Sequence, residues 1–401
     1  MEERDIVSQK QKELVGLCKE AKRGGITRRQ FVERALILGL SAGTVGALVG
    51  ACGEEDAEPE APQVEMPVMD ETMPAEITVY NWTDYMDPEI RKQFKAETGI
   101  KVNETYFASN EELLAKLRAG STGYDIIVPS DYMCQIMIMS ELLQPLDIEG
   151  FIPNFTGVAE TLKAPAFDDP ANQGGMKYSV PYFYGTTGYA TRTDKVSPTP
   201  TDWTPLFDGA NSGKIQLLDD ERECLGMGLL SLGFSVNTKD QAELDQATEK
   251  LIAQKPLVST YDSVNMKRAI VQGVPYVMCW DGDVLMAIDA MGGEDYQDMV
   301  DWVLPSEGFV RWTDAMSMPT SAASRYGGHL FMNYLLDPEI AGQNASWVWY
   351  LSAVPSSRDF TDPFALILTP TDEDMARSEE LEDLGEFAAA YQMAWTKVKS
   401  A

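Results

Sequence analysis

Aromatic rings and carboxylates recur together along this chain at the ends of short apolar runs. Trp82, Asp84 and Tyr85 do so in YNWTDY, Trp280 and Asp283 in CWDGD, and Trp312 and Asp314 in WTDAMSMP. The run DDERE at 219–223 adds Asp220 and Glu223. Rings beside carboxylates suit an organic cation, because ring faces attract an ammonium and cover its methylenes while the carboxylate supplies the opposite charge. A competing explanation for the first stretch makes Trp82 and Tyr85 core aromatics and Asp84 a helix cap.

Catalytic chemistry has less to build on. A hydrolase or amine-transforming enzyme needs a nucleophile with a base, a metal cluster or a cofactor motif. The only histidine, His329, lies in the helical stretch RYGGHLFMNY with no cysteine or acid at ligand spacing, and reads as packed or surface structure. The expectation is therefore no catalytic set, no metal and no cofactor. Cys134, Cys224 and Cys279 follow no metal-like spacing; buried free thiols are expected, with one disulfide left open. The formal net charge of −31 argues against nucleic acid and anionic membrane surfaces, and favours cationic ligands or simply solubility in salt water.

These residues need elements to hold them. Residues 77–80 read as a buried strand and 88–98 as a helix, which places Trp82, Thr83, Asp84 and Tyr85 in a strand-to-helix loop, where open α/β sheets bind ligands. A strand over 101–107 and a capping box at 109–112 opening a helix to residue 119 come next. Residues 124–128 form a strand ending in the polar loop of Ser130 and Tyr132, and 214–218 form one ending at the acids of 219–223, which also suit a helix N-terminus. A further strand covers 275–279 and ends at Trp280, Trp312-Thr313-Asp314 makes another such strand end before the extended AMSMP, a helix covers 326–336, and an amphipathic helix closes the chain after residue 378. Between them, Gly185 and Gly188 interrupt the extended stretch YSVPYFYGTTGYAT, which suits a crossing between lobes. This alternation is the pattern of a mainly parallel α/β sheet, and a chain of 401 residues favours two lobes.

The N-terminal part reads as an address. Residues 1–51 contain the twin-arginine-like Thr27-Arg28-Arg29-Gln30-Phe31 and a short apolar run ending in the lipobox-like Val49-Gly50-Ala51-Cys52. The alternative is a plain anchor helix with an incidental cysteine. Residues 52–75 are an acidic, proline-rich tether; from 53 onward they carry eight acids, four prolines and no base.

In order and spacing, YNWTDY, FKAETGIKV, YDIIVPSDY, PYFYGTTG, LLDDERE, CWDGD, WTDAMSMP, NYLLDPEIA and AWTKVKS resemble the polyamine-binding proteins of ABC importers, the spermidine and putrescine receptors. The resemblance runs from residue 76 to the C-terminus. It implies a two-lobed periplasmic-binding-protein fold of type II kind, with a first lobe of 77–185 and 313–358 and a second of 186–312 and 359–401. It also implies aromatic walls from Trp82, Tyr85, Trp280, Trp312 and Tyr350, carboxylates from Asp84, Glu223, Asp283 and Asp314, polar contacts from Thr83, Ser130 and Tyr132, and a further acid at Asp220. The physics agrees, since burying an ammonium costs several kcal/mol unless a carboxylate replaces its water.

Asp283 and the AWTKVKS tail look like the putrescine-type branch and Trp312 like the spermidine-type branch, so ligand length stays open. Asp281 matches no family role and reads as solvated. The implied function is capture of putrescine or spermidine by a monomer outside the cytoplasm, held to the membrane only through lipidated Cys52, with delivery to permease subunits of an ABC transporter. A polyamine sensor docking to a signalling receptor, or a receptor for another organic cation, are the alternatives.

Overall fold

The computed structural model describes residues 69–401. The twin-arginine stretch, Cys18, Cys52 and the tether up to residue 68 lie outside the described residues.

Strand β1 (Glu76–Trp82) runs parallel to β2 (Lys101–Phe107) and to the short β3 (Ile126–Ile127). Helix α1 (Pro88–Thr98) joins β1 to β2; Asp87 accepts from the Glu89 N–H at its start, and Gly99 at φ 81° ends it. The cap is thus Asp87 and not Asp84, which stands exposed at φ 56°. Helix α2 (Asn110–Arg118) departs from a true capping box. Ser109 accepts from the Glu112 N–H, but the Glu112 carboxylate reaches past Ser109 to the N–H of Ala108. Beyond β3, helix α3 (Asp131–Met139) already begins inside what reads in sequence as a polar loop.

Strand β4 (Ser179–Arg192) and strand β9 (Phe309–Ser317) carry the chain between two halves of the sheet. From Ser179 to Thr186, β4 pairs antiparallel with β9, and from Thr187 to Thr191 with β7 (Tyr276–Trp280). Parallel β5 (Ile215–Leu217) and β6 (Val258–Tyr261) extend the β7 side, while β8 (Val300–Val303) and β10 (Leu351–Ser352) pair with β4. The result is an α/β architecture with a parallel set of strands on either side of an antiparallel centre.

Two hydrophobic cores flank this centre. One gathers Ile77, Val79, Ile90 and Phe94 with Phe331 and Met332 of helix α6 (Arg325–Leu335). The other gathers Leu225 of α4 (Glu221–Leu230) and Val284 and Ile288 of α5 (Asp281–Met291) with Tyr189 and Val277, and continues onto Tyr80, Ile127 and Met133. Cys134, Cys224 and Cys279 are buried and free. His329 is wholly buried; its Nε2 accepts from the Asp147 N–H at 3.0 Å and its Nδ1 donates to the Arg325 carbonyl, so the ring is a fixed structural strut.

The C-terminal segment corrects the expectation of one closing helix. Residues of β11 (Ser378–Glu380) pair parallel with β9, and the helix starts only at Ala388 in α8 (Ala388–Ser400). Helix α7 (Pro338–Val348) precedes them, with Trp349 at φ 64° ending it. The strand wins because Arg311 clasps it, through Nε to Glu380 at 3.0 Å and through Nη1 to the Ser378 carbonyl at 3.1 Å.

Candidate functional site

These elements surround a cavity of about 230 Å³, most of them through their ends; Trp312 and Asp314, expected at a strand end, instead lie in the middle of β9, because that strand runs on to Ser317 in pairing with β4. Trp82, Thr83, Asp84 and Tyr85 enter from the end of β1, Ser130 and Tyr132 from the start of α3, and Asp220 and Glu223 from the start of α4. Trp280 and Asp283 enter from the junction of β7 and α5, Trp312 and Asp314 from β9, and Tyr350 from just beyond α7. The sequence candidates for ligand contact all line this one space. The wall has further members that sequence reasoning missed: Phe107, Asn110 and Asp131 on one side, Met266, Lys267, Met286 and Leu381 on the other. Asp131 had a signal, standing between Ser130 and Tyr132 at a strand end; Met286 shares α5 with Asp283 but reads as an ordinary apolar helix position, and the others form no ring-carboxylate pair of their own.

Asp314 is fixed on both of its oxygens. Ser130 donates to its Oδ1 and Tyr85 to its Oδ2, each at 2.7 Å, and Asn110 in turn holds Ser130 through its side chain. The Tyr85 ring stands edge-on to Tyr182, Phe183 and Tyr350, so Tyr85 is both core residue and cavity wall. Trp82 anchors its indole N–H on the Val128 carbonyl at 2.9 Å and leans on Phe107. Trp312 meets Tyr350 edge-on at 5.2 Å, and its indole nitrogen has no partner among the described residues.

The acids of α4 and α5 are less satisfied. Asp220 caps α4, accepting from the Glu223 N–H at 3.0 Å. Glu223, 6% exposed, accepts from Thr187 at 2.9 Å and from the Trp280 indole at 3.5 Å on Oε1, but its Oε2 has no partner among the described residues. The Oδ2 of Asp283 is likewise buried and unpartnered. Asp131 is held by backbone N–H groups of Tyr132 and Thr313. The Arg222 guanidinium lies 5.4 Å from the Tyr132 ring centre while the Tyr132 hydroxyl donates to Glu111.

Electrostatically the cavity is a cluster of acids, Asp84 exposed and the rest largely taken out of water. Asp84, Asp131, Asp220, Glu223, Asp283 and Asp314 face a single lining base, Lys267. Burial raises Asp131 and Glu223 to about 8, Asp283 to about 7, and Asp220 and Asp314 to about 6. Neighbouring acids add to the rise at Glu223 and Asp220. Such a set favours a guest that brings positive charge, because each carboxylate recovers in the ion pair what it lost in hydration.

Asp281 corrects the expectation of a solvated side chain. It is 5% exposed, accepts from the Thr186 hydroxyl at 3.2 Å and the Gly282 N–H at 3.0 Å, and is raised by burial to about 7. It does so because α5 begins directly beside the crossing strand β4, which turns the carboxylate away from solvent and also away from the cavity wall.

Comparison with known proteins gives consistent matches. Residues 89–375 match the model of the bacterial extracellular solute-binding protein family. The spermidine/putrescine-binding periplasmic protein of Escherichia coli K12 is 32% identical over 327 residues, covering 80% of this chain and 90% of that protein. The solved spermidine/putrescine ABC transporter substrate-binding protein PotD of Streptococcus pneumoniae is 30% identical with a TM-score of 0.68, covering 82% of this chain and 99% of the other. The TpPotD lipoprotein of Treponema pallidum is 26% identical with a TM-score of 0.71, covering 80% and 99%.

Proposed function

Because the chain belongs to the bacterial extracellular solute-binding proteins, in the company of the spermidine/putrescine-binding periplasmic proteins, we propose that it captures a linear di- or triamine in this cavity and passes it to an ABC importer. The observation that carries this reading is the wall itself: six acids against one lysine, with Trp82, Tyr85, Trp280, Trp312 and Tyr350 between them. Anions would be repelled. A sugar would leave the unpartnered oxygens of Glu223 and Asp283 without a counter-charge. An alkyl chain bearing ammonium groups answers both needs, its methylenes against rings and its charges against carboxylates.

In this reading residues 77–185 with 313–358 form one jaw and 186–312 with 359–401 the other, and β4 and β9 carry the bending between them. Trp82, Tyr85, Trp280, Trp312 and Tyr350 wrap the methylenes, while Asp84, Glu223, Asp283 and Asp314, with Asp220 beside them, meet the amines. Thr83, Ser130 and Tyr132 supply polar contacts. The protein acts as a monomer without turnover, tethered outside the cytoplasmic membrane by lipid on Cys52.

Calorimetric titration of the purified domain with putrescine, spermidine, an amino acid and a sugar, read together with tryptophan fluorescence, tests the reading. One-to-one heat from an amine is the expected result. Heat from the sugar or the amino acid alone would overturn it.

A further inference from the structure

Lys267 is the single base among the residues that line the cavity. Lys267 lies in the first turn of the short helix Met266–Val271, which follows a tightly tied loop. Asp262 closes that loop by accepting from the N–H groups of Val264 and Asn265 and from the Asn265 amide. Met266, 2% exposed, pins the helix to the core. The base of the Lys267 side chain is therefore fixed, and Lys267 lines the cavity as an exposed residue, in no ion pair with a described residue.

Asp283 lines the same cavity, with its buried Oδ2 unpartnered. The helix that carries Lys267 packs against α5, the helix that carries Asp283, and the Lys267 charge acts on Asp283, favouring its ionised form against the effect of burial. It stands beyond salt-bridge contact, so it neutralises part of the Asp283 field without occupying the oxygen.

We propose that Lys267 is a specificity determinant, a built-in cation at the Asp283 end of the cavity that disfavours ligands with more positive charge and so discriminates a triamine from a diamine. The proposal rests on the polyamine reading above. Its physical basis is the repulsion of like charges. A ligand ammonium approaching Asp283 meets an acid whose field is partly cancelled and a second ammonium at the rim, and the penalty grows with the number of ligand charges. The exposed position makes the effect sensitive to salt.

The test is calorimetry on wild type, Lys267→Gln and Lys267→Arg with putrescine and with spermidine, at low and at high salt. Removing the charge in Lys267→Gln is expected to tighten spermidine roughly three- to tenfold, with a smaller gain for putrescine and a gap that closes as salt rises. Lys267→Arg, which keeps the charge, should follow wild type. An unchanged ratio of the two affinities in Lys267→Gln would overturn the proposal, as would Lys267→Arg behaving like Lys267→Gln, which would assign the effect to packing of the stem. Wild type binding neither amine would remove the polyamine reading itself, an outcome separable from a wild type that binds both with a ratio indifferent to Lys267.

Discussion

Tyr85 donates its phenolic hydrogen to Asp314 across 2.7 Å, joining residues 229 positions apart in the chain. With Ser130 on the other oxygen, Asp314 is held in place before any ligand arrives, whereas Asp283 keeps Oδ2 open. Asp314→Asn and Asp283→Asn should each weaken polyamine binding by about 3 to 5 kcal/mol, because either leaves a buried ammonium without its partner. Trp312→Leu should cost roughly 0.5 to 2 kcal/mol of binding, the scale of a cation-π contact. The two acids should part company in thermal melts of the free protein: Asp314→Asn lowers the melting temperature, since one of the two hydroxyl donors then faces an amide NH₂ in place of an acceptor, and Asp283→Asn leaves it level or higher. Asp variants that bind like wild type would mean that the site is wrongly drawn.

Asp281→Asn is expected to act on stability first. Its carboxylate accepts from Thr186 and Gly282, and an amide NH₂ facing those donors leaves at least one unsatisfied, at a cost of about 1 to 3 kcal/mol. Urea unfolding should record that loss, and calorimetry a smaller affinity change than for Asp283→Asn. An unfolding midpoint equal to that of wild type would return Asp281 to the role of a solvated acid.

Gly185 offers a steric test of the Trp312 wall. A Cβ there would lie 2.5 Å from Trp312 Cζ2 and 2.6 Å from Asp281 Oδ1, so the indole must move. Gly185→Ala should therefore lower affinity and stability together, each by about 1 to 3 kcal/mol in the manner of an overpacked core, and shift the tryptophan emission. Unaltered emission with wild-type affinity would contradict the placement of that ring.

The buried acids make a signed prediction about pH. Native Asp131 and Glu223 at about 8, Asp283 at about 7, and Asp220 and Asp314 at about 6 hold protons that an unfolded chain releases near pH ~4. The native state thus binds more protons across this window, and the stability of the ligand-free protein falls as pH rises from about 4 toward 8. A bound polyamine favours the ionised acids, so binding releases protons and affinity climbs from about pH 6 to 8. Titrations at pH ~6.5 in buffers of different ionisation enthalpy should give different heats. Identical heats would show that no proton leaves.

At the membrane, Cys52→Ala should release or strand the full-length chain, because Cys52 is the residue on which the proposed lipid anchor depends. Fractionation of cells expressing that variant is the measurement, and unchanged partitioning of the protein into membranes would count against lipidation.

Much of the cavity was legible because its residues fall at strand ends, where a period-two apolar run stops and side chains are free to face a ligand. Trp280 and Asp283 are such a case, read from CWDGD and found at the junction of β7 and α5. Tyr85 was legible only in part, since no local pattern separates a core ring from a cavity ring when one ring serves as both. Asp281 misled because local sequence reports polarity, while burial is decided by what packs across the sheet, here Thr186 on a strand 95 residues away. Strand β11 was hidden for the same reason: Ser378 to Glu380 carries no β-branched residue, and its extended form depends on Arg311. Lys267 and Leu381 reach the wall from elements whose own sequences hold no mark of a ligand.

The sealed environment of His329 has a consequence for how the molecule handles acid. Burial pulls the imidazole below its ordinary range, and the same burial pushes the thiols of Cys134, Cys224 and Cys279 upward, so among the described residues the side chains that commonly buffer near neutrality are silent. That duty passes to aspartates and glutamates. Near neutral pH the molecule is a carboxylic-acid buffer whose capacity is concentrated in the cavity, and carboxyl ¹³C resonances, not imidazole ones, should carry its titration curve.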